Sequence, residues 1–242
     1  MTAFSHWSSF EANGDQIQNQ TASECNREID LLKRAFELYS EGFSAIPKSS
    51  KAKAMVARLA LLSQNLNSFH VMIHSASRGF YIQSLVPLRN VFENWLAFWY
   101  LAKFPDEADR WLDPTWQMRP PTAETMRNKI DHPAKQTKSK LKDFYDELNR
   151  FAHTDPAAVL SILEQEGEKT YISVGVRFDA DNYRACAYGL SLWIGYCLDA
   201  LSIVIPDSHE WQGQYHSIVD EILQFIDEYN ANRTGAAAGS PR

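Results

Sequence analysis

Hydrophobic residues recur at helical spacing along most of this chain. Over residues 25–46 the apolar side chains follow one another at three- and four-residue steps, so they share one face of a predicted helix. These side chains are Ile29, Leu32, Phe36, Tyr39 and Phe43. A second helix is predicted over about 51–77. Its apolar stripe consists of Met55, Leu59, Leu62 and Leu66, and His70 and His74 continue the same side.

The third predicted helix, over about 79–103, is apolar on almost every side. A helix of this kind belongs in the middle of a bundle, where neighbouring helices cover all of its faces. Pro87 lies within it and removes one backbone donor, so we expect a kink at this position. A short helix is predicted to follow, beginning near Pro105.

The pattern is less regular in the second half of the chain. Residues 113–136 contain four prolines and little periodicity, which predicts a long connection with one short helix after Thr122. Helical spacing returns over 138–152, and β-branched alternation near 170–178 is typical of a short strand or hairpin. Two further helices are predicted over 180–205 and 209–229.

These elements predict an all-α fold. We expect a bundle of five or six long helices, interrupted by one irregular proline-rich excursion and carrying one short β-hairpin. The bundle is predicted to form a single domain over 21–231. The polar residues 1–20 are expected to be a flexible N-terminus, and the small residues of 232–242 a disordered tail.

Composition agrees with one large core and narrows the chemistry. Of the 242 residues, 45% are hydrophobic and 12% aromatic, which is enough to fill such a bundle. The net charge of −6 argues against bulk electrostatic binding of nucleic acid, although it leaves room for a local basic patch. Cys25, Cys186 and Cys197 are an odd number without metal-type spacing. We therefore expect no disulfide framework, no zinc site and no cofactor.

One apolar run, over 185–206, has the length needed to span a bilayer. It has neither a second span nor a basic flank to support it, so we expect a buried helix and no membrane partner. The first residues lack the basic start and apolar centre of a secretory signal. A reducing, cytoplasmic location is the simplest expectation.

Two charges interrupt the most apolar helix. Arg89 and Glu93 are four residues apart, so they share a face, and their aromatic neighbours predict at least partial burial. One hypothesis is a structural ion pair that fixes the register of the helix. The other is that the pair faces a polar pocket and organises a side chain from elsewhere, with His153, Arg150 and His74 as the candidates.

Arg127 and His132 form the first candidate catalytic pair. Their spacing recurs in metal-independent ribonucleases, in which a 2′-hydroxyl attacks the adjacent phosphate. Arginine stabilises the charge that develops on the phosphoryl oxygens, and histidine transfers protons near neutral pH. Pro133 restricts His132 to an extended backbone, which places the pair at a helix end.

A second candidate pair lies in the segment FYDELNRFAHTDP. If the helix continues that far, Asn149, Arg150 and His153 come together at its C-terminal end. There the helix dipole favours a protonated imidazole. The alternative is that His153 merely caps the helix beside the turn that follows it.

Two segments together resemble a known family. Helix three contains PLRNVFENWLAFWYL, with Arg-x-x-x-Glu in an apolar helix, and FYDELNRFAHTDP follows about fifty residues later. This order is similar to that of uncharacterised bacterial all-helical proteins near the higher eukaryote and prokaryote nucleotide-binding (HEPN) superfamily. Their motifs are Leu-x-Arg-x-x-x-Glu and Tyr-x-x-Leu-Ser-x-x-x-His. By position, Arg89, Glu93, Tyr145 and His153 match, while Asn149 stands in place of the serine.

The resemblance implies a helical bundle that is often dimeric and occurs in phage-defence or toxin–antitoxin settings. Three functions stay open on the sequence. In the first, the protein is a metal-independent ribonuclease using Arg127 with His132, or Arg150 with His153. In the second, Arg89, Glu93, Tyr145 and His153 line a pocket that binds a nucleotide or small effector without turnover. A bundle that only contacts other proteins is the third alternative.

Overall fold

The computed structural model shows a helical bundle. It describes residues 5–46, 52–115, 117–130, 163–166, 169–172, 176–205 and 209–238, together with residues 141, 142, 145, 146 and 148. The first long helices are α1 (Ser5–Glu24), α2 (Asn26–Ala45) and α3 (Lys53–Ser77), followed by α4 (Tyr81–Leu85) and α5 (Leu88–Lys103). A 3₁₀ turn (Pro105–Ala108), α6 (Asp109–Leu112) and α7 (Ala123–Lys129) come next. The chain closes with α8 (Ala180–Ser202) and α9 (His209–Ala238).

The all-α prediction is confirmed, and α8 lies near the centre of the bundle. It packs against α2, α3, α5 and α9. Where α5 meets α8, the Trp95 and Trp193 rings lie 5.9 Å apart between centroids, and Phe92 lies edge-on to Trp193 at 5.2 Å. All three side chains are buried. This aromatic core holds α5 in place, and α5 carries the charged pair identified from the sequence.

The buried face of α3 differs from the predicted stripe. The residues that α3 buries are Ala57, Leu61, Leu62, Asn65, Phe69, Met72, Ala76 and Ser77. Leu62 belongs to both sets, but His70 and His74 are exposed and lie off the core. The predicted stripe therefore lies at the edge of the buried face, where Leu59 and Leu66 are half-buried against the core.

The third predicted helix is divided in two. Pro87 separates α4 from α5, so the chain breaks at the position where a kink was expected. Gly79 precedes this segment with a φ of 86°, a left-handed conformation that glycine adopts without strain. The turn at Gly79 reverses the chain, so that α5 begins at Leu88 and packs against α3.

The terminal regions are helical where composition predicted a loose chain. Helix α1 begins at Ser5 and is tied to the end of α3: the Arg78 guanidinium bonds Glu11 Oε2 at 2.8 Å, and the Thr21 hydroxyl lies 3.0 Å from the Ser77 carbonyl oxygen. These tertiary bonds stabilise a helix with little amphipathic pattern of its own. At the other end, the backbone of α9 runs to Ala238, past the predicted start of the tail at 232.

The irregular excursion contains the short helix that the sequence predicted. Thr122 caps α7, since its side-chain oxygen accepts from the Thr125 amide at 3.2 Å. Residues 141, 142, 145, 146 and 148 are helical, within the predicted 138–152 helix. Two four-residue strands, β1 (Leu163–Glu166) and β2 (Lys169–Ile172), pair antiparallel, and only β2 overlaps the predicted 170–178 run.

The apolar run 185–206 corresponds to most of α8 and lies within the bundle. Asp179 caps this helix by accepting from the Asn182 amide at 2.9 Å. Among the residues that the structure describes, no helix is both long enough and apolar enough to cross a membrane.

A close approach between α2 and α9 gives a first prediction. A Cβ on Gly42 would lie 2.7 Å from Trp211 Nε1, and that indole is anchored by its bond to the Leu38 carbonyl oxygen at 3.1 Å. We expect Gly42→Ala to lower the free energy of unfolding by about 1–3 kcal/mol through overpacking. Gly213 on α9 has open space around it, so Gly213→Ala is expected to raise stability by about 0.5–1 kcal/mol.

Urea denaturation of the two glycine variants checks this prediction. Equal effects of the two substitutions would contradict the close packing of α2 against α9.

Candidate functional site

Arg89, Glu93 and Tyr145 form a closed triangle of polar groups. Arg89 Nε lies 3.1 Å from Glu93 Oε1, as expected for residues one helical turn apart on α5. Arg89 Nη2 donates to the Tyr145 hydroxyl at 3.2 Å, and that hydroxyl donates to Glu93 Oε1 at 3.2 Å. The structure thus brings together three of the residues that the sequence singled out, from two separate segments.

The triangle is only partly buried. The Arg89 and Glu93 side chains are 33% and 31% exposed, so neither charge is sealed in the core. Burial lowers the pKa of the Arg89 guanidinium, but its interactions with Glu93 and with the Tyr145 oxygen outweigh burial and raise the pKa overall. Arg89 therefore stays charged, and the side chains of the pair remain accessible. The Tyr145 ring rests 5.5 Å from the Phe92 ring, which positions its hydroxyl.

These three side chains line a cavity of about 640 Å³ between α3, α5, α6 and α7. Small apolar residues form much of its wall: Ala57, Ala60, Leu61, Ala97, Ala123 and Met126. The polar lining adds Gln64, Asn94, Arg110, Asp113 and Thr122 to the triangle. Trp111 supplies an aromatic wall. The cavity thus combines an apolar interior with a few polar groups, which is the usual make-up of a small-molecule site.

The loop before α7 closes one side of the cavity, and Asp113 orders it. The Asp113 carboxylate accepts from the Thr115 hydroxyl at 2.6 Å and from the Thr115 and Met118 amides at 2.9 and 3.0 Å. These bonds, the Thr115 hydroxyl first, lower the pKa of Asp113 to about 2. Pro120 and Pro121 then carry the chain along the rim into Thr122.

The two arginines of the cavity are both paired with carboxylates. Arg89 faces Glu93, and Arg110 Nε bonds Glu107 Oε2 on the preceding turn. Arg110 also donates to the Arg119 carbonyl oxygen at 3.1 Å. Because Asp113 is ionised as well, the charged residues lining the cavity sum to zero, with two arginines against Glu93 and Asp113.

The first candidate catalytic pair is only partly described. Arg127 lies in α7 with 8% of its surface exposed. Its neighbours Ala123 and Met126 line the cavity, and Arg127 does not. His132 lies outside the described residues, and so do Asn149, Arg150 and His153 of the second pair. Whether either histidine meets an arginine stays a prediction.

His74, a third candidate partner of the charged pair, lies elsewhere. It is exposed on α3 and, with His70, lines a separate groove formed by α1, α2 and α3. Its Nε2 lies 3.5 Å from Arg78 Nη1. The expectation that His74 joins Arg89 and Glu93 was therefore wrong, because His74 lies on the side of α3 that meets α1 and α2, whereas Arg89 and Glu93 on α5 line the other cavity.

Most of the polar lining of the cavity was not predicted from the sequence. Gln64 and Asn94 were not singled out, although the neighbouring Asn65 interrupts the apolar surface of α3 and marks the region as unusual. Arg110 and Trp111 belong to a short helix whose placement over the cavity depends on a loop. No spacing pattern in the sequence indicates that placement.

The three cysteines are not activated for thiol chemistry. All three thiols are buried and free. Burial raises the pKa of Cys186 and of Cys197 to about 12, so neither forms a thiolate near neutral pH. Within the described ranges, no three His, Cys, Asp or Glu side chains cluster as metal ligands.

Comparison with known proteins adds no further constraint: no family model, no curated protein and no solved structure matches this chain.

Proposed function

We propose that this protein is a non-catalytic binding module that holds a small organic ligand in the cavity between α3 and α5. The observation that carries the proposal is the placement of the Arg89–Glu93–Tyr145 triangle on the wall of an open cavity of about 640 Å³. Ligand sites of proteins span about 300–1,000 Å³ and combine apolar walls with a few polar groups. A charged pair whose only role is helix register does not need such a cavity beside it.

The charges of the cavity favour a neutral or zwitterionic ligand. Each arginine already faces a carboxylate, Arg89 with Glu93 and Arg110 with Glu107. A ligand phosphate would have to displace these carboxylates or lie close to them, at an electrostatic cost. Of the two ligand classes that the sequence left open, a small effector therefore fits better than a nucleotide.

A thermal-shift screen with neutral, zwitterionic and phosphorylated compounds tests the proposal. A ligand at one hundred times its Kd stabilises the folded state by about 2.7 kcal/mol, which for a chain of this size raises Tm by roughly 5–10 °C. We expect neutral or zwitterionic compounds to give the largest shifts.

Two matched variants locate the binding. Ala60 lines the cavity and is exposed, so Ala60→Trp is expected to fill the cavity without disturbing the core. Ala102→Trp adds the same side chain at an exposed position on α5 away from the cavity. We expect Ala60→Trp to abolish the ligand-induced shift and Ala102→Trp to keep it. The proposal would be overturned if no compound in the screen raised Tm, or if Ala60→Trp kept the ligand-induced rise in Tm.

Metal-independent RNA cleavage, the other function indicated by the sequence, is tested separately. The assay incubates purified protein with RNA in chelator and compares Arg127→Ala, His132→Ala, Arg150→Ala and His153→Ala. A cleavage rate that falls at least a hundredfold in the alanine variants of one Arg–His pair would support catalysis, since a general acid–base group contributes about 10²–10⁴ in rate. Intact RNA with the wild-type protein would exclude it.

A further inference from the structure

Three side-chain amides connect α3 and α5 at the cavity. Asn65 is fully buried, and its Nδ2 donates to the Val91 carbonyl oxygen at 3.3 Å. A backbone carbonyl can only accept, so this bond fixes which end of the Asn65 amide is nitrogen. Its oxygen Oδ1 must then face the other way, toward Asn94.

The orientation of Asn65 determines that of the next two amides. Asn94 Nδ2 donates to Asn65 Oδ1 at 2.9 Å and to Gln64 Oε1 at 3.3 Å. An amide nitrogen has two hydrogens, and both are used in these bonds. What remains is the oxygen of Asn94, an acceptor, and the NH₂ group of Gln64, a donor.

These two groups belong to residues on the cavity wall. Gln64 and Asn94 both line the cavity, beside the small side chains of Ala60, Leu61 and Ala97. Within the part of the chain that the structure describes, neither Asn94 Oδ1 nor Gln64 Nε2 has a hydrogen-bonding partner. The wall therefore carries one acceptor and one donor on two amides that are bonded to each other, in an order set by the Val91 carbonyl.

We propose, on the basis of the binding function above, that the cavity selects ligands containing a cis-amide within a ring. The ring N–H donates to Asn94 Oδ1, and the adjacent ring carbonyl accepts from Gln64 Nε2. A trans peptide directs its N–H and C=O to opposite sides and cannot make both bonds on one edge. A lactam, a cyclic dipeptide and a pyrimidinedione all have this edge and are flat and uncharged, which suits small apolar walls and a neutral charge balance.

Matched pairs of ring amides test the selection by ligand-observed NMR. The probes are 2-pyridone, uracil and a cyclic dipeptide with one leucine, each compared with the form in which every ring nitrogen is methylated, and N-methylacetamide serves as the trans-amide control. We expect N-methylation to weaken binding about tenfold, because it removes the donor and leaves the Asn94 oxygen unpaired. N-methylacetamide is expected to bind no better than the N-methylated rings.

One isosteric substitution tests the amide-binding groups separately from the rest of the cavity. In Gln64→Glu the side chain can still accept from Asn94 Nδ2, but its donor becomes an acceptor that repels the ligand carbonyl. We expect this variant to bind the ring amides about tenfold more weakly and to lose most of their advantage over the N-methylated forms. Gln214→Glu on α9 makes the same charge change at an exposed position and is expected to have no effect.

The outcomes distinguish this inference from the function on which it rests. Equal binding of the rings and their N-methylated forms would overturn the inference. So would equal weakening of all ligands in Gln64→Glu, or a cavity that binds other compounds and no ring amide. In each of these cases the binding function stands. If no compound of any class binds in the cavity, both proposals fail.

Discussion

The substitution Trp95→Ala is expected to lower the free energy of unfolding by about 3–5 kcal/mol, the usual cost of truncating a buried aromatic residue. Trp95 is fully buried where α5 meets α8, and its ring contacts those of Trp193 and Tyr196 at 5.9 and 5.4 Å. Its indole nitrogen also donates to the Tyr196 carbonyl oxygen at 3.2 Å. The loss is a large part of the 5–15 kcal/mol that stabilises a typical domain.

Urea denaturation measures this effect, and Trp7→Ala is its control. Trp7 is the same residue type but is 69% exposed on α1, so its removal should change stability by no more than about 0.5 kcal/mol. Trp95→Phe retains most of the packing and should fall between the two. Similar losses for Trp95→Ala and Trp7→Ala would contradict the central position of α5.

The substitution Asn65→Asp is expected to cost about 3–5 kcal/mol at neutral pH, as for other uncompensated buried charges. Asn65 is fully buried, and its Nδ2 faces the Val91 carbonyl oxygen. A carboxylate there places two acceptors against each other in a low-dielectric environment. Burial and the carbonyl both favour the protonated form, so the pKa of the new carboxyl is raised in the folded state.

The raised pKa fixes the direction of the pH dependence. Below the unfolded pKa of about 3.9, the new carboxyl is protonated in both states and the cost of the substitution is smallest. As the pH rises past this value, the unfolded chain releases the proton while the folded chain retains it. The difference from wild type should then grow by up to about 1.4 kcal/mol per pH unit until the folded-state pKa is passed.

Denaturation of wild type and variant between pH 4 and pH 8 measures that difference. Asn67→Asp provides the matched control, because Asn67 is exposed on the same helix and should show almost no such trend. A difference between Asn65→Asp and wild type that does not depend on pH would show that the Asn65 side chain is hydrated. In that case the Val91 carbonyl would not fix the orientation of the amides along the cavity wall.

Local spacing predicted the part of the site that lies within one helix. Arg89 and Glu93 were expected to share a face from their four-residue separation, and their side chains meet at 3.1 Å. Tyr145 was singled out by the family resemblance, and it completes the triangle. The partial burial expected from their aromatic neighbours is also found, since the Arg89 and Glu93 side chains are 33% and 31% exposed.

The cavity itself could not be predicted from the sequence. Its walls come from α3, α5, α6 and α7, and the last two are positioned by turns rather than by periodicity. Asp113 fixes the intervening loop through bonds to backbone amides, which no apolar pattern reveals. The amide chain depends on Asn65 in the buried face of α3, and the stripe predicted for α3 did not include Asn65.

Helix α1 is a part of the fold that local propensity did not predict. Its composition is polar, and local propensity alone predicted a loose segment. The helix is held by the bonds of Arg78 to Glu11 and of Thr21 to the end of α3, which join residues more than fifty positions apart. Contacts of this kind override local propensity and are visible only once α3 and α1 are packed together.

The most direct test of ligand binding between α3 and α5 is an NMR titration of protein with ¹³C-labelled alanine methyl groups. The ligand is the strongest compound from the thermal-shift screen. We expect the methyl signals of Ala57, Ala60, Ala97 and Ala123, which line the cavity, to shift with the ligand, while those of Ala35 and Ala187 in the core stay unchanged. Saturable binding that leaves all four cavity methyl signals in place would contradict a ligand site between these helices.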